Sequence, residues 1–229
     1  DRAFLFAHDQ DPFNGWEAGQ PYAIDYLRAS IAALQKEKPK PASAEFVSAL
    51  GGMLRDPSLD KAFKAEAMLL PSEEYLGNQM TKVDVAAIHQ ARENLRQEIA
   101  GELRDDLLKL YHSNNVNRPY RPDPVDAAQR KLKNGALSYL MAIDEPFVRS
   151  LGVSQFEAAD NMTDSMAALA CLVDLDCPER EAALRDFYTR WQDDSLVLDK
   201  WLSLQAMSSL PGTLSNVKAL LDHPVFSLR

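Results

Sequence analysis

DVAAIHQARENLRQEIAGELRDDLLKLY, residues 84–111, decides the fold class. Val85, Ile88, Leu95, Ile99, Leu103, Leu107 and Leu110 recur at steps of three, four and seven, which lines them up along one helical stripe. Glu and Arg occupy the remaining faces. A strand could not present that set on one side, because its side chains alternate with a period of two. The stretch therefore predicts an amphipathic helix from Asp84 to about Tyr111.

Towards the N-terminus the same period repeats in shorter runs. Trp16 to Lys38 carries Tyr22, Tyr26, Ala29, Ala33 and Leu34 at helical spacing and stops in the Pro39–Pro41 linker. Ala42 to Leu54 places Phe46, Leu50, Met53 and Leu54 on one face before Pro57 ends it. Ser58 is the expected N-cap of the next helix, which runs to about Leu70, where Pro71 breaks the pattern.

Towards the C-terminus comes NNVNRPYRPDP, residues 114–124, whose three prolines and three asparagines make it the strongest loop signal. Asp123 then reads as an N-cap and Pro124 as a first helical residue, since proline there forfeits no needed amide. Segments 124–143, 145–158, 163–173, 178–191, 195–207 and 213–221 follow, separated by short turns, with Pro178 and Pro211 at helix starts. No strand-period alternation with hairpin turns occurs. The expected fold is all-α, with antiparallel helix hairpins stacked as an irregular bundle or solenoid-like helical superhelix. Residues 1–229 read as a single α-helical domain, with 114–124 as a candidate internal hinge.

The chain has 229 residues, 46% of them apolar and 26% charged, so it can bury a normal core without a disulfide or metal staple. A net charge of -9 and a pI near 5.0 disfavour nucleic acid and anionic membranes as partners. Apolar runs fall short of a bilayer span. Cys171 and Cys177 form no CxxC pair, and Cys171, inside MAALACLVDL, reads as a buried inert thiol. So few cysteines fit a reducing cytosol, though the same count occurs in exported proteins; a cytoplasmic location is the expectation.

Chemistry-bearing motifs are sparse. The histidines are His8, His89, His112 and His223, and none has a second histidine at the i,i+4 spacing that lets two imidazoles reach one zinc ion. His89 and Glu93 share a helix face, but two ligands fall short of a zinc site, and surface hydrogen bonding is the expected role. Gly51-Gly52 lies within a helix and lacks the Lys-Ser/Thr of a phosphate loop, and no G-x-S-x-G elbow appears. The carboxylates of GELRDDLLKL read as a solvated face. Leu198, Trp201, Leu202, Gln205 and Ala206 form an expected buried stripe, and Met162 and Met166 read as filler in the core or at a domain contact. No catalytic, cofactor-binding or metal-binding residue is assigned.

Several stretches also resemble a known family. DPFNGWEAGQ, residues 11–20, resembles the D-x-F-x-R-W-E-A-x-Q opening of the C-terminal domain of bacterial aminopeptidase N, with Gly15 in place of the usual Arg. LLPSEEYL (69–76) is similar to its L-P-S/G-E segment. NMTDSMAALA (161–170) is similar to N-N-M-T-D-x-x-A-A-L, with Asp160 replacing the first Asn. SLVLDKWLSLQA (195–206) resembles L-V-M-D-K-W-F-x-L-Q-A, and VKALLDHPVFSLR (217–229) resembles V-x-x-L-L-x-H-x-x-F-S-L. The five occur in the family's order over nearly the whole chain.

The resemblance implies an all-helical C-terminal domain of a zinc metallopeptidase that removes N-terminal residues. Zinc would sit in the catalytic domain, on an HExxH motif accompanied by G-A-M-E-N, and neither motif occurs in this chain. The implied partners are the catalytic domain of the same polypeptide and its peptide substrate. The implied role is to close over the active site and restrict access. Trp16, Glu17 and Trp201 are expected as core or interdomain positions. The start at Asp1 looks like the middle of a longer polypeptide, and the family's run beyond F-S-L is expected to be missing. A stand-alone helical scaffold for protein partners is the alternative, ahead of an independent enzyme built on surface carboxylates.

Overall fold

The computed structural model describes Phe6, residues 11–116 and residues 118–227, apart from the side chains of Pro12 and Trp16. His8, Asn117, Leu228, Arg229 and the expected packing of the Trp16 indole thus lie outside the described residues. Those that are described form α-helices joined by short connections, with no strand among them. They divide into two compact units, residues 1–143 and 144–229.

The first unit holds α1 (Pro12–Gln35), α2 (Ala44–Arg55), α3 (Lys61–Ala67), α4 (Glu73–Asn78), α5 (Val85–Glu102), α6 (Arg104–Asn114), α7 (Pro124–Leu140) and a 3-10 turn, Met141–Ile143. Helix α5 lies at its centre, packed by α1, α2, α4, α6 and α7. Leu95 and Ile99 of α5 are fully buried, with Leu27, Ile31, Leu50, Leu76, Leu107 and Leu137 from its neighbours. The loop at 114–124 joins α6 and α7, which pack on each other inside this unit.

The long helix expected over 84–111 is two helices. Leu103, at φ -107 and ψ 20, leaves helical geometry between α5 and α6. Its side chain is buried, and Gly51 of α2 comes so close that an added Cβ would stand 2.7 Å from a Leu103 methyl. The break falls at this close approach of α2. The stripe survives because the step is local, although Val85 is exposed and Leu110 half-buried.

Other boundaries moved for identifiable reasons. Helix α1 begins four residues before Trp16, because the Asp11 carboxylate accepts the Phe13 amide at 2.9 Å and Pro12 takes the first helical position. Its buried face is Ala23, Tyr26, Leu27, Ser30 and Ile31, whereas Ala29 is exposed and Tyr22, Ala33 and Leu34 are half-buried. It ends in a Schellman motif: the Lys38 amide bonds Ala33 O, the Glu37 amide bonds Leu34 O, and Glu37 adopts φ 51. Ser58 does not cap α3. Its amide and hydroxyl are both held by Asp56 Oδ1, and Asp60 caps instead by accepting the Phe63 amide at 2.8 Å. The short α4, capped by Ser72, was not anticipated.

The second unit holds α8 (Pro146–Ala158), α9 (Met162–Val173), α10 (Pro178–Trp191), α11 (Ser195–Ala206) and α12 (Thr213–Leu221). Each helix packs on the next, the arrangement of a stack of hairpins. Phe187, Val148, Phe156, Leu169 and Leu172 form its core. Its boundaries follow the sequence expectations to within a residue or so, as prolines at the first position of α8 and α10 would have it.

Candidate functional site

Among the described residues, a cavity opens in each unit. The smaller, about 250 Å³, lies in the first unit beside Arg28, Gln35 and Thr81. The larger is an open groove of about 560 Å³ between α9 and α11, walled by Met162, Thr163 and Met166 on one side and by Leu196, Lys200 and Leu204 on the other.

Local sequence explains why the groove exists. Asn161 starts α9 by accepting the Asp164 amide at 2.9 Å, and Asp194 starts α11 by accepting those of Leu196 and Val197 at 3.1 and 3.2 Å. Helix α9 then turns Ala168, Leu169 and Leu172 into the core, which leaves Met162 and Met166, one turn apart, facing the opening. Helix α11 carries two stripes. Val197, Leu198, Trp201 and Gln205 are buried, while Leu196, Lys200, Leu204 and Met207 run along the groove. Leu196 is 75% exposed and Met207 80% exposed. Covering such side chains fully is worth about 1.5–3 kcal/mol each, so the groove holds unused binding energy.

The floor is rigid. The Val173 carbonyl at the end of α9 accepts from the buried Arg180 Nε at 3.0 Å and from Ser208 Oγ at 3.1 Å. Ser208 follows α11, so this bond ties the two walls together. Trp201 donates its indole N–H to Leu184 O at 3.0 Å and lies 5.2 Å from the Tyr188 ring and 5.4 Å from the His223 ring. Gln205 donates to the Trp201 carbonyl at 3.2 Å.

Some sequence expectations change here. Met162 and Met166 are half-buried groove walls rather than core, and Ala206 is exposed, outside the buried stripe. Cys171 is half-buried; Cys177 is the buried thiol, and burial pushes its pKa above the ordinary value. His89 Nδ1 meets Glu73 Oε1 at 2.9 Å, the surface hydrogen bonding expected of it, while Glu93 pairs with Arg96. Of GELRDDLLKL, Glu102 and Asp105 are exposed and Asp106 pairs with Arg55 at 2.6 Å. Glu17 is exposed, and Gln20 donates to Leu69 O at 3.2 Å. Among the described residues no group of three or more His, Cys, Asp or Glu side chains is placed to hold a metal ion. None of the described helices is long and apolar enough to cross a membrane.

Stacked helical hairpins carrying an apolar groove between two of their members are the build of a helical-repeat module. A family model described as "Domain of unknown function (DUF3458_C) ARM repeats" matches residues 1–229, and the chain belongs to that family. It matches the C-terminal region of aminopeptidase N. It is 34% identical over 226 residues to aminopeptidase N of Escherichia coli, an alignment that covers 98% of this chain and 26% of the relative. With aminopeptidase N of Caulobacter vibrioides it shares 37% identity over 228 residues, 99% of this chain and 26% of the relative. The crystal structure of Legionella pneumophila aminopeptidase A in complex with aspartic acid superposes with a TM-score of 0.84 at 28% identity, covering 99% of this chain and 27% of that one. The chain thus spans about a quarter of the length of the relatives it matches.

Proposed function

We propose that this chain is the non-catalytic C-terminal domain of an aminopeptidase N-like zinc metallopeptidase that removes N-terminal residues from peptides in the cytoplasm. In that role it closes over the active site and restricts which peptides enter. The observation that supports this reading is the asymmetry of coverage: relatives named aminopeptidase N align with 98–99% of this chain but with 26% of themselves. A helical lid acts by excluding water and positioning peptide, which alters rate and specificity without providing a nucleophile. Zinc, HExxH and G-A-M-E-N would all reside in the remainder of the polypeptide.

The test begins with the reading frame upstream of Asp1. Continuous coding sequence with HExxH and G-A-M-E-N is expected, and a stop codon followed by a nearby start would overturn the proposal. The whole polypeptide is then compared with one truncated before Asp1, on a dipeptide amide and on longer peptides. Loss of this domain should change the ratio of kcat/KM between short and long substrates. An unchanged ratio would refute the closing role while leaving the assignment to the parent polypeptide in place.

A further inference from the structure

The core of the second unit uses only part of the apolar surface of α9 and α11. Met162, Met166, Leu196, Leu204 and Met207 line the groove, with Leu196 and Met207 largely exposed. Ala168, Leu169, Val197 and Trp201 of the same helices are buried. Core packing accounts for that second set and not for the first.

We infer that the groove between α9 and α11 seats an apolar segment of the rest of the same polypeptide, the part proposed above to carry catalysis. The inference rests on that proposal. Three observations favour this occupant. About three quarters of the relatives' length lies outside this chain, so a tethered surface is at hand at high effective concentration. Asp199 and Lys200 give the lining one charge of each sign, which suits a neutral apolar segment better than a basic or acidic run. Methionines on both walls adapt to an irregular surface, as at interfaces between domains.

The experiment uses the whole polypeptide. Met207 is 80% exposed in this chain, so an uncovered groove would let hydrogen peroxide oxidise it almost as fast as in unfolded protein. Oxidation of Met207 is followed by peptide mass mapping in the native and in the denatured polypeptide. The expected result is a native rate slower by roughly ten-fold or more. L196D, at a position this unit leaves in solvent, should restore much of the rate. A native rate within about two-fold of the denatured one would overturn the inference. A photo-crosslinking residue at Leu196 should join to the same polypeptide upstream of Asp1; crosslinks only to a second copy, or to nothing, would also overturn it. An upstream frame that closes before Asp1 removes the occupant and sinks both proposals, whereas an open frame with free Met207 oxidation sinks this one alone.

Discussion

The indole nitrogen of Trp201 donates to the carbonyl oxygen of Leu184, 3.0 Å away, and thereby fastens α11 to α10. The side chain is 7% exposed, and the rings of Tyr188 and His223 lie against it. Truncation here removes ring contacts and the hydrogen bond together.

Trp201→Ala is expected to cost about 3–5 kcal/mol, the usual range for deleting a buried aromatic. Denaturant unfolding followed by circular dichroism measures it. A midpoint within error of the parent protein would show that the indole is not packed as described.

Tyr139 links the first unit in a pH-dependent way. Its hydroxyl donates to Met68 O at 2.5 Å, and burial raises its pKa well above the ordinary value of 10.0. The neutral phenol is the form the fold favours. Its contribution is therefore complete below pH 10.0 and is lost as pH climbs from there towards the folded value. Tyr139→Phe should cost about 1–3 kcal/mol near neutrality by orphaning the Met68 carbonyl. It should also flatten the loss of stability at alkaline pH, and an unaltered alkaline slope would contradict this placement.

Adjacent glycines of α2 should respond in opposite directions. Nothing lies within 4 Å of a Cβ added at Gly52, which is exposed, so Gly52→Ala should stabilise by about 0.5–1 kcal/mol. At Gly51 the new methyl meets Leu103 at 2.7 Å, and overpacking of roughly 1–3 kcal/mol should outweigh the helical gain. Thermal melts of the two variants that shift in the same direction would disprove the close approach of α2 to Leu103.

Glu37 closes α1 with φ 51, a conformation that suits glycine. Glu37→Gly should relieve strain of about 1–2 kcal/mol and return part of it as added unfolded-state freedom, for a net gain of about 0.5 kcal/mol. A lowered melting temperature would mean that the carboxylate makes a contact worth more than that strain.

Much of the helix register was legible because its signals are local and chemical. Asp123 before Pro124 and the proline at 178 mark helix starts, since proline has no amide donor to satisfy there, whereas Pro211 stands in the turn before Thr213 and starts no helix. Ser58 misled because serine and aspartate both cap helices; the choice fell to Asp60 once Asp56 had engaged Ser58. The interruption at Leu103 leaves no mark on the hydrophobic period; it falls where Gly51 of α2 closely approaches the Leu103 side chain. For α1 the period was right but the stripe was rotated, with Ile31 inside and Ala29 outside, because small and aromatic residues supply apolar candidates on several faces. The groove was hidden for a similar reason. Met162, Met166, Leu196 and Leu204 have the spacing of a core stripe, and periodicity cannot distinguish a stripe facing its own core from one facing an opening. The family-like stretches do contain those residues, but their likeness alone does not say which members point outward.

The division after Ile143 bears on how the chain is born. Every helix that packs around α5 lies before that point, so the first unit has its contact partners in hand while residues 144–229 are still being made. At about 5–20 residues per second, synthesis of that second stretch occupies on the order of ten seconds, far longer than small helical units need to collapse. The first unit can thus settle on the ribosome before Trp201 or the groove exists, and a codon-level pause near Asp144 would widen that interval without touching a single side chain.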